Sequence, residues 1–421
     1  MKSLKEHYEK TKSNAKFLWV LYFVFPLVPF IIAVNNFNIK KYRKFIILFA
    51  VLYGYTFIPI PESDGAGYAA IIESMKTYSA EQYFHDITNI YGNDTQFPDI
   101  YAFTLFYITT KLSGGPQIFH LLTSLIYFII FIGFLGTIRS LTPQIRGKYY
   151  IWFFLGCVFI TNLSAGINGV RFATALMLFS YGALNMIIFK NVKYLLISIT
   201  SILIHFSLLF PLIFLIIFFL SGFLKNKIIL YVFLFLAITS TFLTSLVLEN
   251  TTIFGIAFES KITTYTNAQY IETRNAHVSI WNWYVQLNLV ASYYFIFIAI
   301  LISRVFSRSL KQNELTNRLF SFAIIVYSIS FISGALVDQI SNRYALIAKL
   351  FALIYLFYIS ANNPYNRILK IISRLYIPVF ILNALIMLRG DLFTVSPYLI
   401  FGNPILMLFL KSDIPLQDLF F

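Results

Sequence analysis

Ten side chains in this sequence are of types that do chemistry, and they sit at or inside apolar runs. Asp64 and Tyr68 occur in Pro61-Glu62-Ser63-Asp64-Gly65-Ala66-Gly67-Tyr68, four residues apart and so on one face of a helix. Arg171 follows Asn168-Gly169-Val170 near the head of one apolar run. His205 and Ser207 lie deep in another, in Leu203-Ile204-His205-Phe206-Ser207. Asp338 stands before a third, Arg343 and Tyr344 lie at its start, and Lys349 lies six residues beyond Arg343, about 9 Å deeper at the helical rise. Ionisable groups in such places are costly and are functional candidates by default. As a set they suit one chemistry. Arginine forks match phosphate oxygens, a His or Asp takes a proton from an attacking alcohol, and an arginine stabilises charge on a departing phosphate. Two arginines, a histidine and carboxylates around one cavity could therefore bind a pyrophosphate and activate a hydroxyl.

Composition says what surrounds these groups. The chain has 421 residues, 59% of them hydrophobic and only 12% charged, with a mean hydropathy of +0.76. Soluble domains average about 45–50% apolar and about 25% charged, so a soluble enzyme is excluded, as is a disordered or fibrous chain. The single Cys157 lies in an apolar run and excludes a disulfide framework or thiolate cluster. Walker A, HExxH, GxSxG and GxGxxG patterns are all missing. ATP-driven pumping and hydride chemistry therefore have no support, and no cofactor is required. The acids could hold a divalent metal ion, but no spacing demands one.

The elements that must position the ten residues are membrane helices. Apolar runs fall at 17–34, 45–60, 116–138, 149–165, 167–189, 194–224, 228–248, 281–303, 319–337, 342–360 and 375–388. A span needs about 20 apolar residues. The expectation is one all-α polytopic domain over 1–421 with about 12 transmembrane helices (range 11–13). Basic connectors, with Lys40 to Lys44, Arg139 to Lys148, Lys190 and Lys193, Lys225 and Lys227, Arg304 to Arg318, and Arg367 to Arg374, belong in the cytoplasm by the positive-inside rule. Both 190–193 and 225–227 are basic, so 194–224 should be a short helical hairpin, broken near His205–Pro211 by Pro211. The long segments 61–115 and 249–280 carry ten acids against four bases and should face out. The first should hold amphipathic helices on the outer membrane face, around Tyr68, Ile71, Ile72 and Met75 and around Tyr101, Leu105, Ile108 and Leu112. The second, with Glu249, Glu259, Lys261, Glu272, Arg274 and His277 before Trp281 and Trp283, could fold over a substrate as a lid. The first apolar run carries no cleavage site and should stay in the chain. By parity the Lys-rich tail before it would lie outside, against its charge; Pro26 and Pro29 allow a bent or shallow insertion instead. The run 392–410, broken by Pro397, Gly402 and Pro404, reads as an outer interfacial segment, with a thirteenth span as the alternative.

In order and spacing these features resemble one family. Asn168-Gly169-Val170-Arg171-Phe172-Ala173, the basic turn Lys190–Lys193 and Ile204-His205-Phe206-Ser207-Leu208-Leu209 resemble the EpsG/Wzy-like polymerases of bacterial O-antigen, capsular and exopolysaccharide. The Asp64…Tyr68 pair, Pro98–Leu112 with Gly114-Gly115-Pro116, and Ser341-Asn342-Arg343-Tyr344 match further elements, so the likeness runs from about residue 17 to 405. Phe172 stands where the family would place a polar residue such as Gln.

The resemblance implies a membrane glycosyltransferase of the C type in the bacterial inner membrane, with its site facing the exterior. Its substrate would be an oligosaccharide on undecaprenyl pyrophosphate, with membrane lipid and a chain-length regulator as partners and no nucleic acid. A growing glycan would pass from its carrier to a sugar hydroxyl of the next lipid-linked unit, with no nucleotide sugar. Arg171 and Arg343 would hold the donor pyrophosphate, and His205 or Asp64 would be the base. Tyr68, Ser207 and Tyr344 would position phosphate or sugar, with Asn168, Asp338 and Lys349 as further binding residues. A ligase that moves a finished glycan, and a flippase for lipid-linked glycans, are the competing functions. Paired repeats would mark a transporter, and no repeated half is visible. The net charge of +15 then reports orientation, because the cytoplasmic connectors hold 18 of the 32 bases.

Overall fold

The computed structural model describes residues 16–61, 63–88, 99–142, 149–220, 227–239, 282–306, 313–336, 338–410 and 414–419. At 227, 335–336 and 338–340 the backbone alone is described. The expected lid at 249–280 and most of the Lys-rich tail lie outside these residues, as do Arg146, Lys148, Lys225, Arg308 and Lys311.

Within them the regular structure is all helical. We number the helices α1 (16–24), α2 (Leu27–Asn35), α3 (Arg43–Tyr55), α4 (Asp64–Ser74), α5 (Ala80–Thr88), α6 (Ile100–Lys111), α7 (Pro116–Ser140), α8 (Ile151–Val158), α9 (Ala165–Asn168) and α10 (Val170–Phe189). After these come α11 (Lys193–Ile204), α12 (Leu209–Leu220), α13 (Lys227–Ile238), α14 (Trp283–Phe306), α15 (Glu314–Leu336), α16 (Asp338–Asn362), α17 (Arg367–Leu392), α18 (Pro397–Phe401) and α19 (Pro404–Phe409).

Six stretches among the described residues are long and apolar enough to cross a membrane: α7, α10, α14, Glu314–Gly334 of α15, Ser341–Asn362 of α16, and α17. This is the make-up of a polytopic membrane protein. Helix α16 is the axis of the bundle. Its apolar window is 83% buried, against 39% for α14 and 28% for α17. A helix apolar all round belongs inside. On α14 the exposed side chains Leu287, Val290, Tyr294, Ile298, Ile302 and Val305 recur every three or four residues, a stripe facing lipid. Small polar residues join the helices, as expected where lipid offers no hydrophobic drive. Ser124 Oγ donates to the Ala50 carbonyl at 2.5 Å, Ser198 Oγ to that of Phe179 at 3.3 Å, and Asn288 Nδ2 to Asn383 Oδ1 at 3.1 Å.

Several expected elements take a different form. The run 149–165 is not one span: α8 stops at Val158, and Asp391 accepts the Leu163 and Ser164 N–H groups at 3.0 and 2.8 Å. That carboxylate stabilises the broken backbone by accepting N–H groups that have no helical partner there. The break in 194–224 comes at His205, whose extended backbone (φ −156°, ψ 113°) leads into a tight turn over Phe206–Leu208. Pro211 does not break a helix. It is the third residue of α12, where its missing N–H has no helical partner to lose. Segment 61–115 holds three helices, not two. They form a cap with its own core of Tyr68, Ile72, Met75, Tyr83, Phe103, Phe106 and Phe119. The run 392–410 is two short helices separated at Gly402.

The N-terminal run resolves the parity conflict. Trp19 packs on Phe45 (ring centroids 5.2 Å) and lies under Lys44 Nζ (4.6 Å), and Tyr22 Oη donates to the Leu48 carbonyl at 3.3 Å. Then Phe30 stacks on Phe49, and the Phe37 carbonyl accepts from Arg43 Nε at 2.8 Å. So α1 climbs along α3 and α2 descends it, returning to the end it left. Lys16 therefore lies at the same end as Lys44. Other basic connectors are tied together in the same way: Lys190 Nζ meets Glu314 Oε1 at 2.6 Å, and Arg318 donates to the Ile187 carbonyl. The bundle has a basic end and, opposite it, a capped end.

Cys157 is fully buried, so single exposed cysteines can report sidedness against a silent background. An impermeant maleimide should label Lys16→Cys and Lys190→Cys from one side of the membrane and Leu112→Cys from the other. Labelling of Lys16→Cys together with Leu112→Cys would overturn the N-terminal hairpin.

Candidate functional site

The site grows from the first turn of α10, at the capped end. Gly169 separates α9 from α10. Three consecutive residues then meet three different environments, because neighbours on a helix point about 100° apart. Val170 is fully buried in the core of the cap. Arg171 turns to α6: its Nη1 donates to Asp99 Oδ2 at 3.1 Å, while Asp99 Oδ1 accepts the Ala102 N–H at 2.9 Å as the α6 N-cap. Asp99 is 3% exposed. Phe172 turns the other way, to His205 and Arg343.

On the cap side, Asn168 holds α4 against α9. Its Oδ1 accepts the Gly65 N–H at 3.0 Å, one of the N–H groups a helix start leaves unpaired, and its carbonyl accepts from Tyr68 Oη at 3.1 Å. Gly65 is required there, since a Cβ would lie 2.6 Å from Asn168 Oδ1. Asp64 opens α4 and is exposed in its first turn. Burial raises the Tyr68 phenol pKa well above its ordinary value; the Asp64 charge adds to this and Arg171 opposes it.

On the other side, the Phe172 ring meets the edge of His205 at 5.5 Å, and the Arg343 guanidinium lies over its face at 5.3 Å. His205 Nδ1 faces Ser207 Oγ at 2.8 Å and accepts the Ser207 backbone N–H at 3.2 Å. A backbone N–H only donates, so Nδ1 is an acceptor and the neutral ring carries its proton on Nε2. Tyr344, 2% exposed, donates to the Ser207 carbonyl at 2.8 Å and fixes α16 to the turn.

Eight of the ten sequence candidates thus gather around one helical turn: Asp64, Tyr68, Asn168 and Arg171 on the cap side, His205, Ser207, Arg343 and Tyr344 on the other. The Tyr68 and Tyr344 hydroxyls donate to backbone carbonyls and assemble the site. Lys349 lies deeper in α16, 6% exposed, with no hydrogen bond or ion pair among the described residues. The Asp338 side chain lies outside the described part of the structure.

Three ionisable residues at this end escaped sequence reasoning. Asp99 was one acid among many in the 61–115 segment. Asp391 lies just past an apolar run. His120 stands alone on the fifth residue of α7, and the cost of an ionisable group in a span was signal enough to find it. His120 is 2% exposed, packed on Phe57 (4.9 Å) and Phe119 (5.6 Å). Neither ring nitrogen closes a hydrogen bond, and the polar group facing it is the Ile167 backbone. It lines a cavity of about 230 Å³ with Phe57, Gly65, Ala69, Gln117 and Ser396, behind the helix that carries Asp64. Among the described residues, no three His, Cys, Asp or Glu side chains form a metal-binding group.

Comparison with known proteins adds no name: no family model, curated relative or solved structure matches the chain.

The Asp99–Arg171 pair should behave as one unit. Removing one member of a buried pair leaves an uncompensated charge, at a cost of about 3 kcal/mol; a partly exposed Arg171 makes this an upper figure. Asp99→Asn and Arg171→Gln should each lower the melting temperature, and the double variant should lose less than the sum of the two. Additive losses in thermal unfolding would show that the two side chains are not coupled.

Proposed function

We propose that this chain is a membrane glycosyltransferase that lengthens a lipid-linked glycan, transferring it from undecaprenyl pyrophosphate to a sugar hydroxyl of the next lipid-linked repeat unit. One observation carries the reading. Four segments far apart in sequence, those holding Asp64 and Tyr68, Asn168 and Arg171, His205 and Ser207, and Arg343 and Tyr344, converge on the start of α10. These are the segments on which the likeness to EpsG/Wzy-like polymerases rests. The convergence lies at the end opposite the basic connectors, which by the positive-inside rule faces out of the cytoplasm. The six long apolar stretches, with the shorter apolar helices beside them, support a polytopic membrane protein, the setting that such an enzyme needs.

The chemistry follows from the groups. The acceptor hydroxyl oxygen attacks the anomeric carbon of the donor glycan, and its proton passes to a base. The bond from that carbon to the pyrophosphate oxygen breaks, and the carrier leaves with the electron pair. Asp64 is the base: it is an exposed carboxylate beside Tyr68. His205 is the donor, because its Nδ1 is held by Ser207 and its proton lies on Nε2; there it can give a hydrogen bond to a phosphate oxygen. Arg343 and Arg171 bind the pyrophosphate, and the N-termini of α4, α10 and α16 add positive potential at the same end. Asn168 acts through the segments it joins. Asp338 and Lys349 are second-line binding residues in α16.

Polymer ladders from cells carrying single substitutions test this. Asp64→Asn and Arg343→Ala should each cut chain extension by about 100-fold or more, in line with loss of a general base or an electrostatic stabiliser. His205→Gln should retain more activity than His205→Ala, because Gln keeps a donor. Full-length polymer from Arg343→Ala and Arg171→Ala, at normal protein levels, would overturn the phosphate assignment.

A further inference from the structure

At the basic end, far from the site above, a second cavity of about 600 Å³ opens between the α2–α3 turn, α7 and α10. Three cations line it: Lys40, Arg43 and Arg139. Among the described residues no carboxylate lines it, and none of the three cations forms an ion pair. Two backbone contacts hold the guanidinium groups in place: Arg43 Nε donates to the Phe37 carbonyl at 2.8 Å, and Arg139 Nη1 to that of Thr142 at 2.5 Å. The α7 wall is cleared by two glycines one turn apart. A Cβ at Gly136 would collide with the Arg43 guanidinium, and one at Gly133 would approach nothing closer than Tyr181 Cε2 at 3.8 Å.

We infer that this cavity binds a phosphate group, carried by an anionic phospholipid of the adjoining leaflet or by a soluble anion. The positive-inside rule explains bases in connectors. It does not explain three of them converging on an interhelical cavity with no acid among the described residues of its lining. The volume lies in the range of ligand sites, about 300–1,000 Å³, and basic pockets between helices on the cytoplasmic side suit anionic headgroups. Fixed guanidinium forks match phosphate oxygens. The inference is independent of the glycan-transfer reading.

The test uses the full chain purified in detergent, with native mass spectrometry and thermal unfolding as readouts. The lipid probes are phosphatidylglycerol and phosphatidylcholine, and inorganic phosphate is the soluble probe. Wild type should retain phosphatidylglycerol over phosphatidylcholine by about tenfold or more. Arg43→Gln with Arg139→Gln should lose that preference. Gly133→Leu should lose it too; it fills the cavity while leaving every cation and its backbone contact in place, so it guards against a misfolded charge variant. A rise in melting temperature with phosphatidylglycerol alone assigns the site to the lipid headgroup, and an equal rise with inorganic phosphate assigns it to a soluble anion. Equal retention of the two lipids with no response to phosphate, or a preference that survives Gly133→Leu and the charge variant alike, would overturn the site.

Discussion

The pair of buried Asp99 and partly exposed Arg171 is the contact on which the capped end depends. Asp99 does two jobs with its two oxygens, capping α6 and receiving Arg171 from α10. The cap and the bundle are therefore joined by one carboxylate that is almost wholly out of water. Attraction at that depth is strong, and so is the cost of leaving either charge alone. The pair fixes the rotation of α10, and that rotation decides where Val170 and Phe172 point. Val170 then closes the core of the cap, and Phe172 reaches His205 and Arg343.

A second constraint shapes the same end. Broken helices expose backbone groups that lipid cannot satisfy. Here each break has a side chain assigned to it. Asp391 receives the N–H groups ahead of α9, Asn168 receives the α4 start, His205 receives the Ser207 N–H, and Tyr344 donates to the Ser207 carbonyl. Non-helical backbone at a membrane end is tolerated where protein buries it or where it lines a cavity. The breaks at 159–164, 169 and 205–208 border the candidate site, and the His120 cavity adjoins it.

Much of this was legible in residue order. Long apolar runs gave α7, α10, α14, α15 and α16 directly, because a lipid environment leaves little ambiguity about a continuous apolar segment. Eight of the ten chosen residues flank one helical turn, and the cost of polarity at or inside apolar runs is what singled them out. What stayed hidden was pairing. Nothing in the spacing links Asp99 to Arg171, 72 residues away, or Asp391 to Ser164, 227 away. The return of the N-terminal hairpin was hidden for the same reason: it depends on Trp19, Tyr22 and Phe30 finding successive positions along α3. Apolar periodicity also left open what the cap helices pack against. Tyr68, Ile72 and Met75 look the same whether they enter lipid or meet Phe106 and Phe119.

The two site arginines are held by different physics, and Phe172 makes the difference. Arg171 meets a carboxylate, so part of its charge is answered within the protein. Arg343 is placed over an aromatic face. The guanidinium carbon lies 5.3 Å from the ring centroid, a cation–π contact. A polar residue such as Gln at 172 would address the guanidinium N–H donors directly. Phenylalanine meets Arg343 through its ring, and its other contact, with His205, links Arg343 to the turn that Tyr344 anchors. The departure from the pattern expected at this position is therefore compatible with anion binding. It replaces a polar tether by a shape contact and passes the task of fixing the turn to Tyr344 and Ser207.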